Sequence, residues 1–256
     1  MLCPSCSAKR SHIFAETVHE QILLPHPHKH FVFTIPKRLR LYFKYDRGLF
    51  KFLYQAAWKA WKDYAEGVYA EGSPAAIMSL HTAGDLLNFH PHLHALVLAG
   101  VIDGSGSYCE IGNIDRELLT EFFAEEVYKI FLNQGLLSED DIRSMRSWPN
   151  SGFSVWLGDA ISEDASEQRL FAARYLVRCP LSLERLSILD DEIVSYAAKE
   201  DSYGNEPETK TFSPLEFLAE LSQHIPHTYE QLIRYYGFYT AHDLNFRFRN
   251  FKSGAV

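Results

Sequence analysis

The sequence predicts an α+β fold in which helices flank a mainly antiparallel sheet. Short apolar runs typical of strands alternate with amphipathic segments of helical spacing, but without the strict strand–helix–strand order of a parallel sheet. Two pairs of these runs are separated only by short polar linkers, which is typical of hairpins. With 256 residues, 46% of them hydrophobic, the chain is long enough to bury a substantial core.

Five apolar or alternating runs predict the strands. Pro36 ends the first run, and Gly100 follows the third. The linker Thr82–Asn88 and the turn Asp190–Glu192 each join two neighbouring runs, so each predicts a hairpin. The predicted strands are His30–Ile35, Ala75–His81, His90–Val97, Leu186–Leu189 and Ile193–Tyr196.

Four segments have apolar residues at helical spacing. Asp115 is suited to cap the second of them, Gly135 lies past its end, and Pro180 stops the third. The predicted helices are Leu49–Ala65, Arg116–Asn133, Glu163–Arg178 and Pro214–His224. The polar stretch Lys199–Lys210 predicts a surface loop.

The third predicted strand carries the clearest chemical signal. His90, His92 and His94 occupy alternate positions, so their side chains share one face while apolar neighbours line the other. Neighbouring imidazoles on one face are suited to hold a divalent cation. We expect His92 and His94 to be metal ligands, and His90, at the entry of the strand, to be a weaker candidate.

A third ligand is expected, because two imidazoles alone hold a divalent ion poorly. If Thr82 pairs with Phe89 across the predicted hairpin, His81 lies opposite His90 and diagonal to His92 on the same face. A slip of one residue would turn His81 to the other face, where it would only pack. Imidazole donors favour Mn²⁺ by ligand type, whereas cellular abundance favours Mg²⁺, so both ions stay open.

Composition and charge narrow the class of protein. The chain has no run of about twenty apolar residues and no signal-peptide segment, so we expect a soluble intracellular protein with no membrane partner. Four cysteines are too few for a disulfide framework in a chain of this size. The net charge of −8 argues against tight nonspecific binding of nucleic acid, but Lys29–Lys51 carries seven basic residues and one acid, which predicts a local basic surface.

Five segments stand out in order along the chain: Cys3–Arg10, Pro27–Pro36, His81–Val97, Ala173–Arg178 and Ile233–Gly237. Together they resemble segments of rolling-circle insertion-sequence transposases. These enzymes are HUH endonucleases, named for a His–bulky apolar–His core, which here is His92-Leu93-His94. The likeness spans nearly the whole chain, and five ordered segments are more specific than a lone HUH match.

The resemblance implies a sheet of the RNA-recognition type with the histidines on a central strand. It also implies a metal-assisted enzyme that nicks and rejoins single-stranded DNA at the ends of a mobile element, through a 5′-phosphotyrosine, in the bacterial cytoplasm near the nucleoid. Tyr175 is the implied nucleophile, and Arg174 and Arg178 beside it could neutralise phosphate charge. That chemistry needs no ATP, and the sequence has no phosphate-binding loop.

The chain departs from this family at two places. Larger members carry a cysteine-rich zinc module ahead of the nuclease, of which only Cys3-Pro4-Ser5-Cys6, half a tetrahedral site, is found here. We therefore expect residues 1–25 to be the remnant of a truncated module without zinc, and 26–256 to be the transposase catalytic domain. The two-tyrosine branch has a second tyrosine four residues before the first. Phe171 occupies that position here, so Tyr175 is expected to act alone.

Other residues and other functions stay open at this point. Lys37, Arg38 and Arg40 could contact the DNA backbone or belong to a solvated loop. The tyrosines within 235–239 favour packing or base stacking over catalysis. The His-x-His-x-His pattern at 90–94 also resembles the histidine-triad nucleotide hydrolases and transferases, and an inactive transposase that only binds DNA is a further alternative. No feature of the sequence specifies an oligomeric state.

Overall fold

The computed structural model describes residues 3–190, 192–199 and 206–240. Its strands are β1 (His28–Thr34), β2 (Ala75–Ala83), β3 (Phe89–Leu98), β4 (Gly100–Ile102), β5 (Tyr108–Glu110), β6 (Ser154–Ile161), β7 (Leu186–Asp190), β8 (Ile193–Ala197), β9 (Thr209–Phe212) and β10 (Ile233–Gly237). Its helices are α1 (Pro4–Thr17), α2 (Lys37–Tyr45), α3 (Phe50–Val68), α4 (Arg116–Asn133), α5 (Glu139–Arg146), α6 (Ser166–Leu176) and α7 (Pro214–Ser222). None of these helices is long and apolar enough to cross a membrane.

A five-stranded antiparallel sheet in the order β10-β2-β3-β1-β6 forms the centre of the fold. The sheet confirms the predicted α+β class. It also places the histidine strand β3 in the middle, as the family resemblance implied. Two smaller antiparallel sheets are formed by β4 with β5 and by β7, β8 and β9.

One face of the central sheet packs on α3 and α4 and carries the main hydrophobic core. Phe31 and Phe33 of β1 and Leu93 and Ala95 of β3 alternate onto this face and are fully buried. Trp61 of α3 meets the ring of Phe31 edge-on, with 5.1 Å between the ring centroids. Burial of a large apolar side chain stabilises a fold by about 1.5–3 kcal/mol. This core therefore fixes which residues of β3 point to the opposite face.

The opposite face is only partly covered, by α1 and α6. At one end of it, Leu96 and Leu98 of β3 pack with Ala172 and Leu176 of α6 in a smaller apolar cluster. Toward the other end the same face carries the histidines of β3, and side chains of α1, α6 and the sheet line a cleft above them. The fold thus leaves the polar half of this face accessible.

The hairpin of β2 and β3 is confirmed, but the predicted register is wrong. Thr82 does not pair with Phe89. Instead, Ala83 pairs with Phe89, and His81 lies directly opposite His92. His81 nevertheless stays on the histidine face, because residues directly opposite each other in an antiparallel pair share a face.

Pro91 gives the physical reason for this register. Two residues of β3, His90 and Pro91, stand where β2 has only Thr82, so the ladder is interrupted by a bulge. Proline has no backbone N–H to donate to the ladder, and within sheets it is confined to edges and bulges. The bulge separates His90 from the regular alternation of His92 and His94.

The sheet of β7, β8 and β9 packs with α7 against the turn of this hairpin. Leu87, in the turn, is fully buried and clusters with Tyr196, Phe212 and Phe217. Its φ angle is +60°, which is uncommon for a bulky residue, so the burial of its side chain holds the turn in this conformation. The contact brings Lys199, just after β8, to the wall of the cleft.

The remaining predicted elements are confirmed to within a few residues at their ends, with two corrections. The segment 37–45, for which a loop was considered, is helix α2, which buries Leu39 and Phe43. β9 begins at Thr209, so the end of the predicted loop is a strand, and residues 200–205 of that loop lie outside the described part of the chain. Besides α2 and β9, the helices and strands that were not predicted are α1, α5, β4, β5, β6 and β10.

Candidate functional site

Three histidines from two adjacent strands come together on the partly covered face of the sheet. His81 of β2 and His92 and His94 of β3 each offer one ring nitrogen, and these atoms lie within 4.8 Å of one another. The facing Nε2 atoms of His92 and His94 are 3.1 Å apart. Two nitrogen donors side by side on one divalent ion, each at about 2.1 Å, are separated by about 3 Å. The spacing therefore fits a shared ion.

Backbone carbonyls determine which nitrogen is free in two of these rings. His92 Nδ1 lies 2.7 Å from the carbonyl oxygen of His90, and His81 Nε2 lies 3.0 Å from that of Leu176. A carbonyl oxygen only accepts, so each of those nitrogens carries the proton. The lone pairs are left on His92 Nε2 and His81 Nδ1, and both rings are held in a tautomer with one nitrogen open to a metal.

A fourth imidazole contacts the third ring. His30 of β1 stacks on His94 with ring centroids 5.0 Å apart, and its Nε2 lies 2.9 Å from His94 Nδ1. This contact occupies Nδ1 of His94 and leaves its Nε2 facing His92. The sequence gives no sign of this contact, because the residue directly opposite His94 is Val32 and His30 reaches His94 diagonally across the pair of strands.

Burial keeps these imidazoles neutral. Desolvation lowers the pKa of His81 to about 3 and the pKa of His30 to about 4. Desolvation also lowers the pKa of His92 and of His94. Neutral imidazole is the form that binds a metal ion, so no proton has to leave these ligands at neutral pH.

Tyr175 of α6 lies beside the histidines. Its ring centroid is 5.0 Å from that of His94 and 6.2 Å from that of His81. The apolar cluster around Leu176 seats α6 on the sheet, and the half-buried Tyr175 lines the cleft together with the three histidines. The cleft has a volume of about 730 Å³, in the range of ligand sites. The structure thus brings the predicted nucleophile next to the predicted ligands.

Positive side chains surround this group. The Arg178 guanidinium lies 5.5 Å from the centre of the Tyr175 ring, and both Arg178 and Lys199 line the cleft. Burial is the main cause of the lowered pKa of His92, and the charges of Arg40 and Lys199 lower it further. Lys199 was not predicted, because only the packing of the β7–β9 sheet on the hairpin turn brings it here.

Comparison with known proteins identifies the family. Residues 75–245 match the profile of Y2_Tnp, a family described as "Putative transposase", and this match covers more than half of the chain. The chain belongs to the Y2_Tnp family. The match confirms the resemblance to transposases, and the matched region includes the three histidines and Tyr175.

Two curated relatives are similar over 92% of the chain. The chain is 29% identical to "Transposase for insertion sequence element IS801" of Pseudomonas savastanoi pv. phaseolicola and covers 60% of it. It is 25% identical to "Putative transposase y4qJ" of Sinorhizobium fredii (strain NBRC 101917 / NGR234) and covers 64% of it. The chain therefore spans less than two thirds of the length of these two relatives. No solved structure matches it.

The other predicted DNA-binding residues of this Y2_Tnp chain lie less centrally. Arg38 is paired with Asp141 of α5, with 2.6 Å between the guanidinium nitrogen and the carboxylate oxygen, and Lys37 is exposed at the start of α2. Arg174 lines a second cleft of about 610 Å³, which is bordered by α1 and α6 and which it shares with Arg178. Burial is the main cause of the lowered pKa of His81 and of His92, and the charge of Arg178 lowers the first further while that of Arg40 lowers the second further.

His90 does not join the three ligand candidates. Its ring centroid is 5.3 Å from that of His92, but within the described residues the group of potential ligands consists of His81, His92 and His94 alone. The bulge at Pro91 explains this separation. His90 is thus the weaker candidate, as expected from its place at the entry of the strand.

The N-terminal cysteines lie at the start of α1. Cys3 and Cys6 are exposed and unbridged, and in the part of the chain described here they are not part of a cluster of three or more metal-ligating side chains. α1 itself packs against α6 and contributes Arg10 to the wall of the main cleft. The predicted division at residues 1–25 and 26–256 stays a prediction.

Proposed function

We propose that this chain is the catalytic part of a transposase that nicks and rejoins single-stranded DNA, with Tyr175 as the nucleophile. One observation carries the proposal: the ring of Tyr175 lies 5.0 Å from that of His94, within a group of three neutral histidines. Membership of the Y2_Tnp family supports a transposase, and the chemistry below is our inference from the site.

His81, His92 and His94 are the residues that would hold one divalent cation, Mg²⁺ or Mn²⁺. Such an ion, when bound, acts as a Lewis acid that polarises the scissile phosphate. The contribution of the protein is orientation, since the carbonyls of His90 and Leu176 fix two of the rings before any ion arrives.

Tyr175 performs the covalent step in this proposal. Its phenolic oxygen forms a bond to the phosphorus of the scissile phosphate, and the bond from phosphorus to the 3′-oxygen of the preceding nucleotide breaks. The tyrosine loses its proton, and the leaving 3′-oxygen gains one to become a free hydroxyl. The 5′-phosphotyrosine conserves the phosphodiester energy, so attack by another 3′-hydroxyl rejoins a strand. Arg178 and Lys199 neutralise phosphate charge at the wall of the cleft.

The alternatives from the sequence are less well supported. A histidine-triad hydrolase would use the histidines of residues 90–94 of one strand. Here the third member of the group is His81 of the neighbouring strand, and His90 stands apart. That composition favours metal binding. An inactive transposase that only binds DNA has the same site residues, so activity must distinguish it.

An adduct assay tests the proposal. Single-stranded DNA labelled at its 3′ end, either a randomised pool or the sequence flanking the gene, is incubated with the protein and Mn²⁺ and then denatured. We expect a labelled protein–DNA band that EDTA, His92→Ala and His94→Ala each abolish, while the exposed His227→Ala control retains it. Shortened DNA without an adduct would favour a hydrolase. Binding without cleavage, with Mg²⁺ and with Mn²⁺, would favour the inactive form.

A further inference from the structure

Two exposed aromatic side chains stand on either side of the candidate nucleophile. Trp156 of β6 is 53% exposed and Phe171 of α6 is 63% exposed. We propose that these two rings are a stacking platform for unpaired DNA bases next to the scissile phosphate, and that they make the site select single-stranded over duplex DNA. The proposal rests on the proposed function and adds its binding subsite.

The two rings belong to one row of aromatic contacts that crosses the site. Trp156 meets His30 edge-on with 5.8 Å between centroids, and His30 meets Tyr175 at 5.6 Å. Tyr175 in turn lies 6.3 Å from Phe171. The inner two rings are at the proposed reaction centre, and the outer two are exposed to solvent. A strand whose phosphate lies at Tyr175 would therefore pass an aromatic ring on each side.

Both outer rings lie on the side of the central sheet that carries the histidines. Trp156 pairs with Val32 of β1, which pairs with His94, so its side chain is on the histidine face of the sheet. A Cβ atom at Gly158 would lie 3.0 Å from the Trp156 indole, so a side chain at that position would displace the ring by a few tenths of an ångström. Phe171 precedes Tyr175 by one turn of α6 and shares its side of the helix.

Charge and shape identify the occupant as unpaired nucleotides. Phe171 and Tyr175 line the second cleft together with Arg174 and Arg178, which are placed to contact the backbone of a strand. Proteins that bind single strands combine cationic grooves with aromatic rings on which successive bases stack. The bases of a duplex are already stacked within the helix and cannot reach these rings without being extruded.

The test measures DNA binding by a protein variant that lacks the proposed nucleophile and so should not cleave DNA. Tyr175→Phe protein is titrated with a fluorescent oligo-dT of 20 nucleotides and, separately, with a hairpin duplex of equal charge. We expect Trp156→Ala and Phe171→Ala each to weaken single-strand binding by about 5- to 100-fold, with duplex binding unchanged within about two-fold. Trp156→Phe and Phe171→Trp, which keep an aromatic ring without adding a second candidate nucleophile, should restore most of the affinity. Trp148→Ala, which removes another partly exposed tryptophan outside the site, is the matched control and should change neither.

The outcomes separate this inference from the proposed function. Equal losses for both forms of DNA, or no loss in either alanine variant, would overturn the stacking platform even if the parent protein forms the tyrosine adduct. A selective loss of single-strand affinity in a protein that forms no adduct would support the platform and contradict the catalytic proposal. Thermal unfolding of each variant confirms that the comparison is between folded proteins.

Discussion

Replacing His30 with phenylalanine should weaken the binding of a divalent cation while leaving the fold intact. Phenylalanine keeps a flat ring that can still stack on His94, where the centroids are now 5.0 Å apart. It removes the nitrogen that lies 2.9 Å from His94 Nδ1. Without that partner the His94 ring is free to rotate or to present the other nitrogen, so one of the three ligands is no longer oriented in advance.

The size of the effect follows from what the substitution removes. All three ligands remain, and one hydrogen bond to a ligand is lost. Losses of this kind weaken metal affinity by about 10- to 100-fold, which corresponds to about 1.4–2.7 kcal/mol of binding free energy. His30→Gln keeps a polar group that can accept the His94 Nδ1 proton, so it should lose no more than a few-fold.

Isothermal titration of the purified protein with Mn²⁺ measures the effect, with thermal unfolding as the check on folding. His26→Phe is the matched control, because His26 stacks on Tyr108 rather than on the histidine group. Mn²⁺ affinity within two-fold of the parent in a folded His30→Phe protein would refute the reasoning. An equal loss in His30→Phe and His30→Gln would show that packing, and not the hydrogen bond, matters.

Three further predictions follow from the site and its surroundings. His92→Ala and His94→Ala should abolish Mn²⁺ binding detectable by titration, and His81→Ala should weaken it by about 10-fold or more; an unaffected His81→Ala would exclude that residue as a ligand. Burial lowers the pKa of His28 to about 3 in the folded chain, whereas a histidine of the unfolded chain has a pKa of about 6.5. Below about pH 6.5 the unfolded chain therefore binds a proton at His28 that the folded chain does not bind, so the free energy of unfolding falls as the pH falls. His28→Gln should reduce that slope by about 1.4 kcal/mol per pH unit between pH 6 and 4 in urea titrations, and an unchanged slope would contradict the cause given. Finally, the purified chain should hold no stoichiometric zinc by elemental analysis, and one zinc per chain that is lost in Cys3→Ser would show that further ligands complete that site.

Local signals explain which parts of the fold the sequence predicts well. α4 begins and ends where its cap residues indicate, since the Asp115 carboxylate accepts hydrogen bonds from two backbone N–H groups of the first turn and Gly135 has a φ of +65° past the end. β6 and α2 were not predicted because their sequences lack such local signals. β6 is an edge strand with exposed residues and Gly158, which look like a loop. In α2, basic residues dominate and only Leu39 and Phe43 are buried.

The candidate site was predictable where it depends on alternation along one strand. His92 and His94 share a face because of the strand period, and that much follows from the sequence alone. The pairing of His81 with His92 depends on the bulge at Pro91, which the predicted register omitted. His30 and Lys199 reach the site only through long-range packing, of β1 on β3 and of the small sheet on the hairpin turn, for which the sequence has no local signal.

Identifying the residue that becomes attached to DNA tests the central claim most directly. Parent protein is incubated with single-stranded DNA and Mn²⁺, digested with nuclease and trypsin, and the peptide that retains a nucleotide is sequenced by mass spectrometry. We predict a single modified residue, Tyr175, and no adduct in the Tyr175→Phe variant, which should still bind Mn²⁺. A modified tyrosine within residues 235–239, or an adduct that persists in Tyr175→Phe, would contradict it.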